Sequence, residues 1–260
     1  MPAFEHTLKS LADTVDGKVS YIIRAADGSL DVCRDETRRF PSASIIKLTI
    51  LWTAFRKAAS GELALDAEAP MLAEDVVGGY GALKGLHVGI APTLEDLCVL
   101  MTDYSDNIAT NMLIDRLGFE SINADIAACG LESTVLGRKM MDAEARQRGL
   151  DNFTTPRDIV SLLEQYRHSA AIPERFRERM LGILHEQFCN NFLSHYMPPD
   201  FRFAHKTGDL PGSLHDTGIL YSPAGKEYYV AVMCTDLADN IRGLEFLNDF
   251  GAALFRAVSL

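Results

Sequence analysis

The chain has 260 residues, of which 47% are hydrophobic and 23% are charged, a balance typical of soluble globular proteins. The formal net charge of -11 argues against a nucleic-acid partner, because a phosphate backbone rewards clustered Lys and Arg. No apolar run is long enough to span a membrane, and the first residues lack the basic and apolar segments of a leader. The sequence therefore predicts a cytoplasmic protein without a membrane partner, or a periplasmic or secreted one if a leader has been removed. It does not indicate an oligomeric state.

The cysteines and histidines predict neither disulfides nor a metal site. Five cysteines are widely spaced, odd in number and without a CxxC pair, which favours reduced thiols. The segment from His185 to Cys189 narrowly misses the zinc-binding HExxH pattern, because Cys189 stands where the second His is needed. We expect no metal and no cofactor.

Apolar spacing and turn residues predict the elements in chain order. The N-terminal part predicts a helix, two strands and a mostly helical region: Phe4 to Val15, Lys18 to Ala25, Leu30 to Arg34, and 44 to about 110. Within and after that region we expect a helix start at Thr93, helices over 107 to 117 and 121 to 129, and an irregular polar stretch over 131 to 153. The remainder predicts a helix opened by Thr155-Pro156, three strands and a closing helix: 203 to 206, 217 to 221, 228 to 235, and 244 to 258.

Strands at both ends with helices between them predict the fold class. We expect an α/β protein in which one antiparallel sheet is built from both chain ends, is flanked by helices and carries an inserted all-α lobe. Residues 1–40 form the first part of the α/β lobe, 41–190 the all-α lobe and 191–260 the second part. A lobe boundary is a usual place for a binding cleft.

Three short motifs, far apart in the chain, suggest one active site: Ser44-Ile45-Ile46-Lys47, Ser105-Asp106-Asn107 and Lys206-Thr207-Gly208. A serine hydroxyl needs a base, and a lysine one helical turn further on could reach the Ser44 oxygen. Burial and a neighbouring cation such as Lys206 would lower the pKa of Lys47 and make it a base. Taken alone, this motif is also explained by a Ser44 that only caps a helix and a Lys47 that lies at the surface.

The second and third motifs supply the other parts of such a site. Ser105 offers a second hydroxyl that passes a proton to a leaving nitrogen, and Asn107 offers an amide to a substrate amide. Asp106 is expected to brace the loop, although an N-cap with an asparagine turn is the better explanation when this motif is taken alone. Lys206 and Thr207 offer a cation and a hydroxyl to a carboxylate. Gly208 leaves room for a substrate along the strand, and the Asp209 N–H pairs with that of Ser44 as an oxyanion hole.

Together these motifs resemble those of class A β-lactamases, in the serine β-lactamase/penicillin-binding protein superfamily. The resemblance runs nearly end to end and includes three segments: 40 to 47, 105 to 111 and 154 to 156. It implies a serine hydrolase in which Ser44 forms an acyl-enzyme, Lys47 assists, and Ser105 shuttles the proton. It also implies that Asn107 orients the amide and that Lys206 with Thr207 binds the substrate carboxylate.

The chain departs from this family in the loop that follows residue 137. The family has a Glu two residues after an Arg, and that Glu activates the water that releases the acyl group; here Met140 follows Arg138 at that distance. Asp142 and Glu144 are the nearest acids, and with an altered path of the loop either is a candidate to activate that water. Asn152 stands where the family has the Asp partner of that Arg, so we expect the loop's salt bridge to be missing. Cys98 falls on a family disulfide position, but Leu51 occupies its partner's place, which favours a thiol.

Three functions remain open for this motif set. The first is a β-lactamase that opens the β-lactam amide through an acyl-Ser44 intermediate. The second is a D-amino-acid peptidase, amidase or esterase with the same nucleophile, favoured by the missing Glu. The third is a sensor of β-lactams or peptidoglycan fragments that acylates once. Tyr80 and Tyr104 line the cleft in one interpretation and belong to the core in another.

Overall fold

The computed structural model describes residues 2–259. Within them lie nine α-helices: α1 Pro2–Asp13, α2 Lys47–Ala59, α3 Leu94–Asp103, α4 Asn107–Leu117, α5 Phe119–Ala128, α6 Ala143–Gln147, α7 Pro156–His168, α8 Glu174–His185 and α9 Asn240–Val258. The same residues contain seven strands: β1 Lys18–Ala25, β2 Asp31–Arg34, β3 Phe40–Pro41, β4 Phe153–Thr154, β5 Arg202–Leu210, β6 Ser213–Tyr221 and β7 Glu227–Thr235.

One five-stranded sheet joins the two ends of the chain. Its order is β2-β1-β7-β6-β5, and every neighbouring pair is antiparallel. Strand β1 pairs with β7 along its whole length, from Lys18 opposite Thr235 to Ala25 opposite Tyr228. The prediction of an antiparallel sheet built from both chain ends, with helices between, is confirmed.

Alternating side chains of the sheet belong to two separate cores. On β7, Ala231 and Met233 pack into a large core shared with α2, α3, α4, α5, α7 and α8. Val230 and Val232 point to the opposite face and pack with α1 and α9. This is the side-chain period of two that a sheet covered on both faces requires. Helices α7 and α8 share one of these cores with the sheet. The lobe boundaries predicted at 41 and 190 stay a prediction.

The region predicted as mostly helical between 44 and 110 is interrupted. Helix α2 ends at Ala59, and residues 60–93 are irregular apart from two short 3₁₀ turns. Gly79 and Gly81 adopt φ angles of 82° and 130°, and a Cβ at either position would meet the side chain of Asn107 or Asp106. The helical prediction was wrong here because contacts with the 105–107 segment, not local periodicity, set the path.

The strands that carry the third motif are longer than predicted. Strand β5 extends to Leu210, and β6 begins at Ser213, so a tight turn at Pro211-Gly212 joins them. Both strands are buried on both faces, which removes the alternation by which strands are recognised. Helix α8 was not predicted, and α9 begins at Asn240 rather than at 244.

The two predicted helix starts are confirmed. The Thr93 hydroxyl accepts a hydrogen bond from the Asp96 N–H (3.1 Å), and Thr155 caps α7 through the Asp158 N–H (3.1 Å). All five cysteines are free, and Cys98 is buried. None of the described helices has the length and hydropathy of a membrane span.

A close approach of α9 to a 3₁₀ turn, Leu193–Tyr196, fixes the segment before that turn. A Cβ at Gly251 would lie 2.8 Å from the Leu193 carbonyl carbon and 3.0 Å from its Cα. Gly251 is therefore required by packing. The preceding residues, Asn191 and Phe192, line a cavity beside Ser44, so this contact helps to position one wall of the cleft.

We expect Gly251→Ala to lower the free energy of unfolding by about 1–3 kcal/mol, because the added methyl group pushes α9 from the turn. Gly182→Ala is the matched control: Gly182 lies inside α8, and a Cβ there meets nothing within 4 Å. The control should gain up to about 1 kcal/mol from helix propensity. Urea unfolding of both variants measures the difference, and equal destabilisation would contradict the packing argument.

Candidate active site

Ser44 lies in a 3₁₀ turn, Ala43–Ile46, that leads directly into α2. Ile45 and Ile46 are fully buried, and Ala43 takes the left-handed φ of 47°. The chain before the turn is held by the Ser42 N–H, which donates to the Asn152 carbonyl (2.8 Å). With both isoleucines anchored in the core, Ser44 is left at the cleft surface.

A chain of hydrogen bonds connects Ser44 to Lys47 through Ser105. The Ser105 Oγ lies 2.8 Å from the Ser44 Oγ and 3.0 Å from the Lys47 Nζ. Lys47 also donates to the Ser105 carbonyl (2.7 Å) and to the Asn107 Oδ1 (3.1 Å). The sequence predicted a direct approach of Lys47 to Ser44, but within residues 2–259 no hydrogen bond joins these two side chains.

The 105–107 segment takes its shape from backbone strain and from Asp106. Ser105 has a left-handed φ of 52°, which turns its hydroxyl into the cleft. Asp106 is fully buried; its Oδ1 accepts from the Ala109 N–H (3.0 Å) at the start of α4, and its Oδ2 accepts from the Leu83 N–H (2.8 Å). The prediction that Asp106 braces the loop is confirmed.

Two lysines lie buried beneath the cleft. The side chains of Lys47 and Lys206 are both 0% exposed. Burial, together with the nearby Lys206 cation, holds the pKa of Lys47 well below its usual range. Burial likewise lowers the pKa of Lys206 to about 8. The surface interpretation of Lys47 is wrong.

Strand β5 brings its motif alongside the Ser44 turn. Thr207 and Asp209 line a cavity of about 120 Å³ together with Ser44 and Ser105. A Cβ at Gly208 would lie 3.1 Å from the Ala43 Cβ, so the space at this glycine is taken by the Ser44 turn. Gly208 therefore allows β5 to approach this turn, and its predicted contact with substrate stays a prediction. The Lys206 Nζ donates to the Thr207 carbonyl (3.1 Å).

The opposite wall of this cavity is held by a buried polar network. The Asp216 Oδ1 lies 2.7 Å from the His205 Nδ1, and its Oδ2 accepts from the Leu193 N–H (3.0 Å). The His205 Nε2 lies 3.0 Å from the Asn190 Oδ1. This network attaches the 190–193 segment to β5 and β6, so that Cys189 and Asn191 face the nucleophile.

A second cavity, of about 340 Å³, lies on the side of the 137–154 loop and is also lined by Ser44 and Asn107. Met140 lies in its wall, and both backbone groups of Met140 are bound by the Asn111 side chain (2.8 and 3.1 Å). A larger groove of about 680 Å³ lies elsewhere, between β1 and α7, and contains none of the three motifs.

The 137–154 loop keeps a salt bridge that the sequence predicted to be missing. The Arg138 Nε lies 2.8 Å from the Asp151 Oδ1, and both side chains are nearly buried. The adjacent Asn152 uses its Oδ1 to accept from the N–H groups of Gly137 (2.8 Å) and Arg138 (3.0 Å). The prediction failed because the carboxylate stands one residue earlier than expected.

The two acids proposed for water activation have different environments. Asp142 lines the larger cavity, where its Oδ1 accepts from the Ala145 N–H (2.8 Å) and caps α6. The Glu144 side chain is 89% exposed and is not among the residues that line either cavity. Of the two, Asp142 alone shares a cavity with Ser44.

The structure decides between the two interpretations of Tyr80 and adds a cleft residue that the sequence did not indicate. Tyr80 lines both cavities and is half exposed, so its core interpretation is wrong. Tyr104 stacks on the exposed Phe188 at a ring separation of 5.4 Å. Cys189 had no sequence signal that connects it with Ser44. No group of three or more His, Cys, Asp or Glu in the described residues is arranged to hold a metal ion.

Comparison with known proteins finds a family and relatives that cover most of the chain. The profile of the Beta-lactamase enzyme family matches residues 3–258. Beta-lactamase CARB-4 of Pseudomonas aeruginosa is 25% identical over 199 residues, which are 75% of this chain and 69% of that protein. For another Pseudomonas aeruginosa relative, beta-lactamase PSE-4, the match spans 60% of its length.

Two solved structures superpose over nearly the whole chain. A β-lactamase from Sphaerobacter thermophilus is 30% identical with a TM-score of 0.89, covering 98% of this chain and 97% of that one. PBP-A is 26% identical with a TM-score of 0.90, covering 99% and 96%. A variant of PBP-A has been solved as an acyl-enzyme complex with penicillin G.

We expect Lys206→Met to stabilise the fold at pH 7. The lowering of the Lys206 pKa from 10.5 to about 8 corresponds to a burial penalty of about 3 kcal/mol. Both folded and unfolded states are protonated below pH 8, so the penalty is complete there. It is relieved as pH rises from 8 towards 10.5, because the folded state releases its proton first.

Urea unfolding of the two proteins at pH 7 and pH 10 measures this effect. Lys206→Met should raise the free energy of unfolding by up to about 3 kcal/mol at pH 7 and by less at pH 10. Lys9→Met, at an exposed position, is the control and should change stability by less than about 0.5 kcal/mol. A loss of stability in Lys206→Met at pH 7 would mean that the surroundings compensate the cation fully.

Proposed function

Because the chain belongs to the β-lactamase enzyme family, we propose that it opens β-lactam amides by acylation of Ser44 and releases the acyl group slowly. The observation that carries this proposal is the Ser44–Ser105–Lys47 hydrogen-bond chain, with oxygen–oxygen and oxygen–nitrogen distances of 2.8 and 3.0 Å. The reaction is a serine acyl transfer without a metal or cofactor.

Acylation needs the proton of Ser44 to reach Lys47. Hydrogen positions are not fixed by heavy-atom distances, so the same chain also fits a neutral Lys47 that accepts from Ser105 while Ser105 accepts from Ser44. As the Ser44 oxygen bonds to the amide carbon, its proton passes to Ser105 and that of Ser105 to Lys47. When the carbon–nitrogen bond breaks, the proton returns through Ser105 to the leaving nitrogen. The lowered pKa of Lys47 supports its role as the base.

The remaining site residues bind substrate in this proposal. The N–H groups of Ser44 and Asp209 form the oxyanion hole. Asn107 faces the larger cavity and orients the substrate amide, although its Oδ1 is already bound by Lys47. Lys206 supplies positive potential from below, and the Thr207 hydroxyl binds a polar group in the smaller cavity.

Slow release follows from the acids that line the larger cavity, because each already has a partner. Asp151 is bound by Arg138 (2.8 Å), and Asp209 accepts from the Tyr80 hydroxyl (2.7 Å). Asp142 caps α6. At position 140, where the family resemblance places the water-activating Glu, stands a methionine. We therefore assign any release of the acyl group to Asp142, acting as an inefficient base.

We expect benzylpenicillin to form a stoichiometric adduct with the protein that persists for minutes or longer. Intact mass spectrometry over time measures both formation and release, with Ser44→Ala as the control that forms no adduct. The adduct mass should equal that of the protein plus the intact β-lactam, since ring opening loses no atoms.

Other outcomes would favour the other functions. Release within milliseconds, with continuous product formation, would show an efficient β-lactamase and contradict slow release. A protein that forms no adduct with any β-lactam but hydrolyses esters or D-amino-acid amides through Ser44 would be the alternative amidase or esterase. An adduct that also forms on Ser44→Ala would contradict the nucleophile.

We expect Met140→Glu to shorten the lifetime of the adduct by at least about tenfold, since a positioned general base contributes typically 10²–10⁴-fold. Met140→Gln is the matched control because it is isosteric with Glu but cannot accept a proton. The lifetime is measured from the recovery of free protein after excess benzylpenicillin is removed.

The native acids form a second matched pair in the same assay. Asp142→Asn should lengthen the adduct lifetime, whereas Glu144→Gln should leave it unchanged because Glu144 lies outside the cavities. Equal lifetimes in the wild type and Asp142→Asn would mean that another group positions the water.

A further inference from the structure

The carboxylate of Asp209 lies at the centre of the cleft. It lines both the 340 Å³ and the 120 Å³ cavities, and the residues shared by the two cavities are Ser44, Tyr80 and Asp209. The Tyr80 hydroxyl donates to the Asp209 Oδ2 at 2.7 Å. This hydrogen bond connects the 76–82 loop to β5, so that the two side chains and the nucleophile together separate the cavities.

The position of Tyr80 is fixed by its own backbone. The Asn107 N–H donates to the Tyr80 carbonyl (3.0 Å), and the Asn107 Nδ2 donates to the Gly78 carbonyl (3.3 Å). A Cβ at Gly79 would lie 3.0 Å from the Met141 sulfur, and one at Gly81 would lie 2.5 Å from the Asp106 Oδ2. The loop is therefore held tightly against the 105–107 segment, and Tyr80 holds the Asp209 carboxylate towards Ser44.

The charge of Asp209 is not neutralised by a cation. Its carboxylate accepts from two neutral donors, the Tyr80 hydroxyl and the Asn240 Nδ2 (3.5 Å). No salt bridge to Asp209 exists among residues 2–259. Asp209 is the one Asp or Glu among the residues that line the smaller cavity, and none of those residues is a Lys or Arg.

We propose that Asp209 determines the charge selectivity of this cleft: it disfavours a free carboxylate beside the scissile amide and favours a neutral or cationic group there. This inference rests on the proposed acylation of Ser44. Lys206 is fully buried and lines neither cavity, whereas Asp209 lines both, so a carboxylate in the cleft is attracted from beneath the wall and repelled by a group in the wall itself. Like charges placed together in a binding site disfavour the wrong partner strongly.

Benzylpenicillin and its methyl ester test this selectivity because they differ in that one carboxylate. Second-order acylation rate constants are measured by intact mass for the wild type and for Asp209→Asn, which keeps the size, the backbone N–H and an oxygen that accepts from Tyr80. We expect Asp209→Asn to raise the rate constant for benzylpenicillin about tenfold and that for the ester less than twofold.

Tyr80→Phe distinguishes an effect of the Asp209 charge from an effect of the Tyr80–Asp209 hydrogen bond. It removes the hydroxyl and leaves the Asp209 charge, so the rate constants of the two compounds should change by the same factor. If Asp209→Asn also accelerates both compounds equally, Asp209 acts through that hydrogen bond and the charge selectivity is wrong. If Asp209→Asn changes the rate constant of neither compound, the proposed charge selectivity is also overturned.

A binding measurement separates this inference from the proposed function. If neither compound acylates Ser44, the acylation proposal fails, and selectivity is then measured as equilibrium binding of both compounds to Ser44→Ala and to Ser44→Ala/Asp209→Asn. A rise of about tenfold in the affinity for benzylpenicillin relative to the ester would support the role of Asp209. An unchanged ratio would overturn it.

Discussion

The cleft depends on keeping two lysine side chains out of water. An amine in solution at neutral pH is protonated and is not a base, whereas burial disfavours the charged form and lowers its pKa. Lys47 and Lys206 are both fully buried, and the Lys206 cation adds to the electrostatic cost of charging Lys47. Three groups bind the buried Lys47 nitrogen: the Ser105 carbonyl, the Ser105 hydroxyl and the Asn107 amide oxygen. The Ser105 hydroxyl also contacts the Ser44 hydroxyl, so that one side chain separates Lys47 from Ser44.

The same cleft is much less complete on the side of the 137–154 loop. That loop retains the Arg138–Asp151 salt bridge and the Asn111 clamp on Met140, so its path is well determined. Met140 lies in the wall of the larger cavity, and each carboxylate that lines this cavity already has a partner. In the proposed mechanism, forming an acyl-enzyme and releasing it are separate chemical demands, and separate elements of the chain carry the residues for each. A protein can therefore keep the first set of residues and lose the second without disturbing its fold.

The negative charge at Asp209 adds a demand of its own. A site that binds an anionic substrate normally presents cations, but here the cation lies below the surface and the acid lies in the cavity. The Tyr80 hydroxyl donates to that carboxylate and links the 76–82 loop to β5 beside Ser44. In the proposed mechanism, charge selectivity is therefore set by Asp209 in the cavity wall rather than by the buried Lys206.

The sequence by itself determined the sheet from both chain ends, the capped helix starts at Thr93 and Thr155, and the motif residues, because periodicity and capping are local properties. It did not determine the path of residues 60–93, the length of β5 and β6, or the Arg138–Asp151 pair. Strands buried on both faces lose their alternation, and a glycine-rich loop takes its course from distant side chains. Tertiary structure alone decided that Ser105 stands between Ser44 and Lys47, and that Tyr80 meets Asp209. The Lys47–Ser105 and Tyr80–Asp209 contacts join residues that are 58 and 129 positions apart in the sequence. Capping and periodicity act over a few residues and therefore do not predict such contacts.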